Sequence, residues 1–175
     1  MDLEKMEALS LPGPDGQQHR LGDFWAEQPV ILLFLRHFGC LMCREHAVTM
    51  KDHYDQIRSR GAELVAIGTG DQRYAARFVS DESIPYPVLV DDDGVAARAA
   101  AVRTIPLAQL LFDVRSYPGG IRARRAGFKT RRSGNRVSQL AGTFVVGPGP
   151  KLRYQHTAKH SADHPPLDEV LAALQ

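Results

Sequence analysis

Short unbroken apolar runs alternate with amphipathic stretches along this chain, and that alternation predicts its elements. Val30-Ile31-Leu32-Leu33-Phe34-Leu35 and Leu64-Val65-Ala66-Ile67 contain no polar position, the pattern of strands buried on both faces of a sheet. Val88-Leu89-Val90 reads as a third strand, entered through Pro85 and Pro87 and closed by Asp92-Asp93-Gly94. After the first run, apolar or small residues fall at Cys43, Ala47, Met50, Tyr54, Ile57 and Gly61, alternating i+4 with i+3. That spacing predicts one helix with a single buried stripe, Gly61 as its stop, and Asp52, Asp55 and Arg58 on the wet side. Asp71 is placed to cap a helix on which Tyr74 and Phe78 share a face. Val95 to Val102 is Ala-rich and reads as helix, and Thr104 with Pro106 reads as the start of another through Leu107, Leu110, Leu111 and Val114. A hairpin is expected at Glu7 to Leu11 and Gln17 to Leu21 around Pro14-Asp15-Gly16, and a second at Leu140 to Val146 and Leu152 to His156. Leu167 to Leu174 closes the chain as a helix. Strand, helix, strand, helix, strand, then a hairpin and a helix make an α/β sandwich with a mixed sheet.

Composition narrows the class. A chain of 175 residues with 43% apolar and 24% charged residues is expected to be one globular domain spanning 1–175. No apolar run approaches the roughly 20 residues that span a bilayer. The start of the chain carries Asp2, Glu4 and Glu7 where a signal peptide would be apolar. Two cysteines are too few for a secreted disulfide scaffold. A cytoplasmic protein with no membrane partner is the expectation.

The net charge of +2 hides an uneven distribution. Arg115, Arg122, Arg124, Arg125, Lys129, Arg131, Arg132 and Arg136 lie in one stretch with no Asp or Glu, which also holds Pro118, Gly119, Gly120, Gly127 and Gly134. It reads as an irregular basic insertion over about 115–136. A solvated mobile loop is the plainest account; a funnel for anionic substrates or a subunit contact in a homodimer are the functional ones. With only Tyr117 and Phe128 for base stacking, no nucleic-acid partner is expected.

The candidate chemistry lies at Cys40-Leu41-Met42-Cys43, which holds both cysteines where the first strand turns into the long helix. At i and i+3 the two sulfurs share a helix face and can close a disulfide. Cys40 would stand at the helix N-terminus, where unpaired N–H groups and the helix dipole favour the reactive thiolate. Arg36, His37 and Arg44 are the candidate thiolate-stabilising residues. Two inert buried cysteines in a binding protein are the bland alternative. A structural zinc site joining the pair to His156, His160 and His164 is another, weakened by the more than 110 residues between the two groups.

Phe34-Leu35-Arg36-His37-Phe38-Gly39-Cys40 with Cys43-Arg44, Leu140-Ala141-Gly142-Thr143-Phe144-Val145-Val146, and Ala162-Asp163-His164-Pro165-Pro166-Leu167 carry a family resemblance. The chain resembles the peroxiredoxin-like 2, alkyl hydroperoxide reductase/thiol-specific antioxidant-type family of the thioredoxin superfamily. The resemblance implies a thioredoxin-like sandwich and an antioxidant thiol-disulfide oxidoreductase that reduces peroxides or disulfides through its C-x-x-C dithiol. Cys40 would be the nucleophile and Cys43 the resolving thiol, with thioredoxin or glutathione as electron donor and no cofactor. True peroxiredoxins carry Pro and Thr seven and three residues before the reactive cysteine. Here those positions hold Leu33 and His37.

Overall fold

The computed structural model describes residues 1–132, 134 and 136–175, with only the backbone of Leu111. In chain order its elements are α1 (Leu3–Ala8), β1 (Ser10–Pro12), β2 (Gln18–Arg20), β3 (Val30–Phe34), α2 (Leu41–Asp52), α3 (Tyr54–Ser59), β4 (Glu63–Gly68), α4 (Gln72–Glu82), β5 (Val88–Val90), α5 (Val95–Ala99), α6 (Leu107–Phe112), α7 (Tyr117–Arg125), β6 (Gly142–Val146), β7 (Leu152–Thr157) and α8 (Leu167–Ala172). Five strands form one sheet in the order β5-β4-β3-β6-β7. β3, β4 and β5 run parallel, while β6 is antiparallel to both β3 and β7. This is the thioredoxin-like α/β sandwich with a mixed central sheet.

The unbroken apolar run of β3 follows from its central place. Ile31, Leu33 and Leu35 enter one core with Met50, Ile57, Phe78 and Val170, under α2, α3, α4 and α8. Val30, Leu32 and Phe34 enter the other with Met6, Trp25, Ala96 and Ala97, beneath α1 and α5. Alternate side chains thus face opposite layers, and both layers are dry.

Local signals hold at several ends. The Asp71 carboxylate accepts the Tyr74 N–H at 3.1 Å and caps α4. Gly61 sits at φ +72, the left-handed turn that ends α3. Elsewhere tertiary structure overrides the pattern. The single expected helix is broken at His53 into α2 and α3, which leaves Met50 and Ile57 on the same buried side. The N-terminal hairpin is present but preceded by α1, a helix of one buried residue, Met6, capped by Asp2. Thr104 does not cap α6; it forms an isolated bridge with Gln139, and Pro106 stands at the N-cap without a side-chain bond. Of the helix positions expected there, the Leu111 side chain lies outside the described residues.

The basic stretch is not wholly irregular. Tyr117–Arg125 forms α7, and its Gly119 lies so near the C-terminal segment that a Cβ would stand 2.4 Å from Ala162 Cβ. Glycine lowers helix propensity but permits this close approach, so local preference yields to packing. Ser133 and Asn135 of that stretch lie outside the described residues.

Candidate active site

β3 delivers the chain into the segment Arg36 to Gly39, and Cys40 becomes the N-cap residue of α2, with φ −70 and ψ 119. Its sulfur accepts the Cys43 N–H at 3.4 Å. Both cysteines are free thiols and buried, Cys40 at 3% exposure and Cys43 at 0%. The Arg36 Nη1 donates to Cys40 Sγ at 3.6 Å. Its Nε donates to the Gln139 carbonyl at 3.1 Å and its Nη2 to the Val137 carbonyl at 2.9 Å. The Gln139 side chain is buried, donates to the Leu35 carbonyl at 3.2 Å and accepts from Arg136 at 3.3 Å. Farther back, the Arg131 N–H donates to the Gly39 carbonyl at 2.9 Å. A Cβ on Gly39 would stand 2.1 Å from the Arg131 carbonyl oxygen, so only glycine admits this strap across the site.

These contacts divide the two thiols. A side-chain hydrogen bond from Cys43 pulls the Cys40 thiol well below its ordinary range, against burial. The Arg36 charge and the main-chain N–H groups of Cys43 and Met42 act in the same direction. Burial pushes Cys43 up, and its hydrogen bond to Cys40 adds to that. The arrangement can hold Cys40 as a thiolate beside a protonated neighbour, the division of labour a dithiol needs.

Among the cations expected around the thiolate, the structure brings only Arg36 to it. Arg44 is buried and turned toward α4, where it pairs with Asp81 at 3.0 Å and with Glu82 and packs over the Phe78 ring. Its guanidinium is neutralised there and is not directed at Cys40, which corrects the expectation. His37 is beside the site but is not a cation. Burial, with the Arg36 charge second, lowers it to about 4, so its ring is neutral at pH 7, and among the described residues its Nδ1 has no hydrogen-bond partner. Sequence reasoning missed the carbonyls of Val137 and Gln139 and the Gln139 side chain. They lie 101 and 103 residues from Arg36, beyond the reach of any spacing rule.

A cavity of about 580 Å³ opens beside Cys40, lined by Leu41, Met42, Leu110, Tyr117 and Ile121 together with His37 and Arg124. Its size and apolar lining suit a small organic molecule. The zinc alternative finds no such gathering. His164 stacks on His46 with ring centroids 4.2 Å apart, and His156 faces Asp163 at 3.3 Å. Among the described residues no group of three or more His, Cys, Asp or Glu side chains is placed to hold a metal ion.

Residues 3–155 match the AhpC/TSA family. The chain belongs to that family. It is a peroxiredoxin-like, thiol-dependent oxidoreductase. It is 30% identical over 164 residues to the prostamide/prostaglandin F synthase of Danio rerio, covering 91% of this chain and 80% of that protein. It is 28% identical over 179 residues to the thioredoxin-like protein AAED1, chloroplastic, of Arabidopsis thaliana, covering 98% of this chain and 71% of that one. The crystal structure of peroxidoxin BcpB from Mycobacterium tuberculosis superposes with a TM-score of 0.67 at 22% identity, over 95% of this chain and 90% of that one. Among the described residues no helix of this AhpC/TSA protein is long and apolar enough to cross a membrane.

Proposed function

We propose that this redoxin reduces organic hydroperoxides with Cys40 as nucleophile and Cys43 as resolving thiol. The observation that carries the reading is the Cys40 sulfur, held at a helix start 3.6 Å from an arginine and facing an apolar cavity. The Cys40 thiolate attacks the distal oxygen of ROOH; the O–O bond breaks, and RO⁻ leaves and takes a proton to become ROH. Cys40 is now a sulfenic acid. The Cys43 sulfur attacks it, water leaves, and an S–S bond joins the two residues. The pair has given up two electrons, and thiol–disulfide exchange with thioredoxin or glutathione in a reducing compartment such as the cytosol restores it. The whole span 1–175 works as one domain, because the strand that delivers Cys40 is the middle of the sheet. Small disulfides can enter the same cycle by direct exchange at Cys40.

A panel of hydrogen peroxide, organic hydroperoxides and small disulfides tests this with Cys40→Ser and Cys43→Ser proteins. Loss of all turnover in the first, and accumulation of a sulfenic acid in the second, are expected. Turnover that survives Cys40→Ser sinks the reading.

A further inference from the structure

Of the described cations of the basic stretch, Arg124 alone lines the cavity. Arg122 is paired with Glu45 at 2.8 Å, Arg115 with Asp113 at 2.6 Å, and Arg131 lies 3.8 Å from Asp81. Arg136 donates to the Asp93 carbonyl at 2.9 Å. Arg124 lines the cavity on α7, and among the described residues it has no ion pair. Among the described residues the cavity wall includes no Asp or Glu. Its other charged member, Arg36, is occupied by Cys40 and two main-chain carbonyls. His37 is neutral, for the reason given above. Among the described residues the lining is otherwise apolar apart from Ser116, Thr130 and Ser161. An unpaired guanidinium lining an apolar cavity is a ready partner for a ligand's own anion, and its planar fork fits a carboxylate.

We propose that the cavity selects amphipathic substrates, an apolar chain that bears both the hydroperoxide and a carboxylate, and that Arg124 is the residue that binds the carboxylate. The apolar chain lies against Leu110, Tyr117 and Ile121, and the hydroperoxide reaches Cys40. This rests on the reading of Cys40 as the reacting sulfur, but the recognition can be tested without any redox chemistry. Arg125 provides the control: it is the next residue on α7, is exposed and carries the same charge, yet does not line the cavity. General attraction by a basic surface would respond equally to loss of either arginine.

The binding of decanoate and of methyl decanoate is measured by titration calorimetry on the reduced protein and on Arg124→Gln and Arg125→Gln. Decanoate should bind at least about tenfold more tightly than its ester, the range of a hydrogen-bonded charge. Arg124→Gln should remove that preference, and Arg125→Gln should keep it. Equal binding of acid and ester, or the same loss in both variants, overturns the proposal. The kcat/KM for a hydroperoxy fatty acid and for its methyl ester should then follow the same pattern. If binding discriminates as stated but neither hydroperoxide oxidises Cys40, the peroxidase reading falls and the Arg124 assignment stands.

Discussion

Arg36 meets the Cys40 sulfur at 3.6 Å while its other N–H groups go to the carbonyls of Gln139 and Val137, not to a carboxylate. Carbonyls orient a guanidinium without cancelling its charge. A carboxylate in their place would satisfy the same N–H groups and also offset the field at the sulfur. Arg44, one turn along α2, shows that other case: it is held by Asp81 and Glu82 and is spent on structure.

Replacing Arg36 should therefore raise the Cys40 pKa. Alkylation of Cys40 by iodoacetamide, followed against pH by mass spectrometry of the Cys40 peptide with Cys43 in place, should show a midpoint at about 6. Arg36→Met should move the midpoint up by about one unit or more, which lowers the thiolate fraction at pH 7. Arg36→Lys keeps the charge but not the fork, and should fall between them. An unmoved midpoint in Arg36→Met would assign the acidity of Cys40 to the helix start and Cys43 alone.

Gln139 holds the loop whose carbonyls hold Arg36. Gln139→Met keeps the volume and removes the bonds to the Leu35 carbonyl and to Arg136. Loss of about 1–3 kcal/mol of stability is expected, because a buried hydrogen bond to the Leu35 carbonyl is removed. The Cys40 midpoint should rise as well, by less than in Arg36→Met. Denaturant unfolding and the same alkylation profile measure the two effects, and a stability loss with an unchanged midpoint would separate Gln139 from the thiol.

Hydrogen peroxide should oxidise Cys40 far more slowly than it oxidises a true peroxiredoxin. Leu33, in the place of the family's proline, is a core residue. His37, in the place of its threonine, offers at most one neutral N–H. Preorganised donors aimed at a breaking bond contribute factors of about 100 to 1,000 each, and a thiolate alone does not replace them. Stopped-flow oxidation by hydrogen peroxide and by an organic hydroperoxide provides the comparison; a peroxiredoxin-like rate with hydrogen peroxide would mean the polarising pocket has been rebuilt from other groups. After mild oxidation, mass spectrometry should find Cys40 and Cys43 joined within one chain.

Acid should destabilise this fold through its buried histidines. Burial, then the charge of Arg122, lowers His164 to about 4; burial, then His164 itself, lowers His46. His156 acts in the same direction on both and His160 on His164. Unfolding returns each ring to its ordinary 6.5, so below that value the unfolded chain binds more protons, down to about 4 for His164. Stability is fully present above 6.5 and falls as pH drops through that window, by up to about 1.4 kcal/mol per pH unit for each group. His164→Phe keeps the stack on His46 and should flatten the dependence in thermal melts between pH 4 and 7. An equally steep decline in that variant would place the acid sensitivity elsewhere.

The sequence by itself determined the layered α/β class, the order of most elements along the chain and the position of the C-x-x-C. Those follow from short-range rules: unbroken apolar runs for strands buried on both faces, a 3.6-residue stripe for α2, and a thiol at a strand-to-helix junction. What it could not determine was which cation faces the thiolate. Arg36, His37 and Arg44 are all near Cys40 along the chain, yet one is anchored on carbonyls about a hundred residues away, one is neutralised by burial, and one is captured by α4. Nor did the run of glycines and arginines after Arg115 reveal that part of it is a helix walling a cavity. Burial, dielectric and charge pairing are properties of the assembled neighbourhood. They arise only when distant segments meet, and so only the tertiary structure decided them.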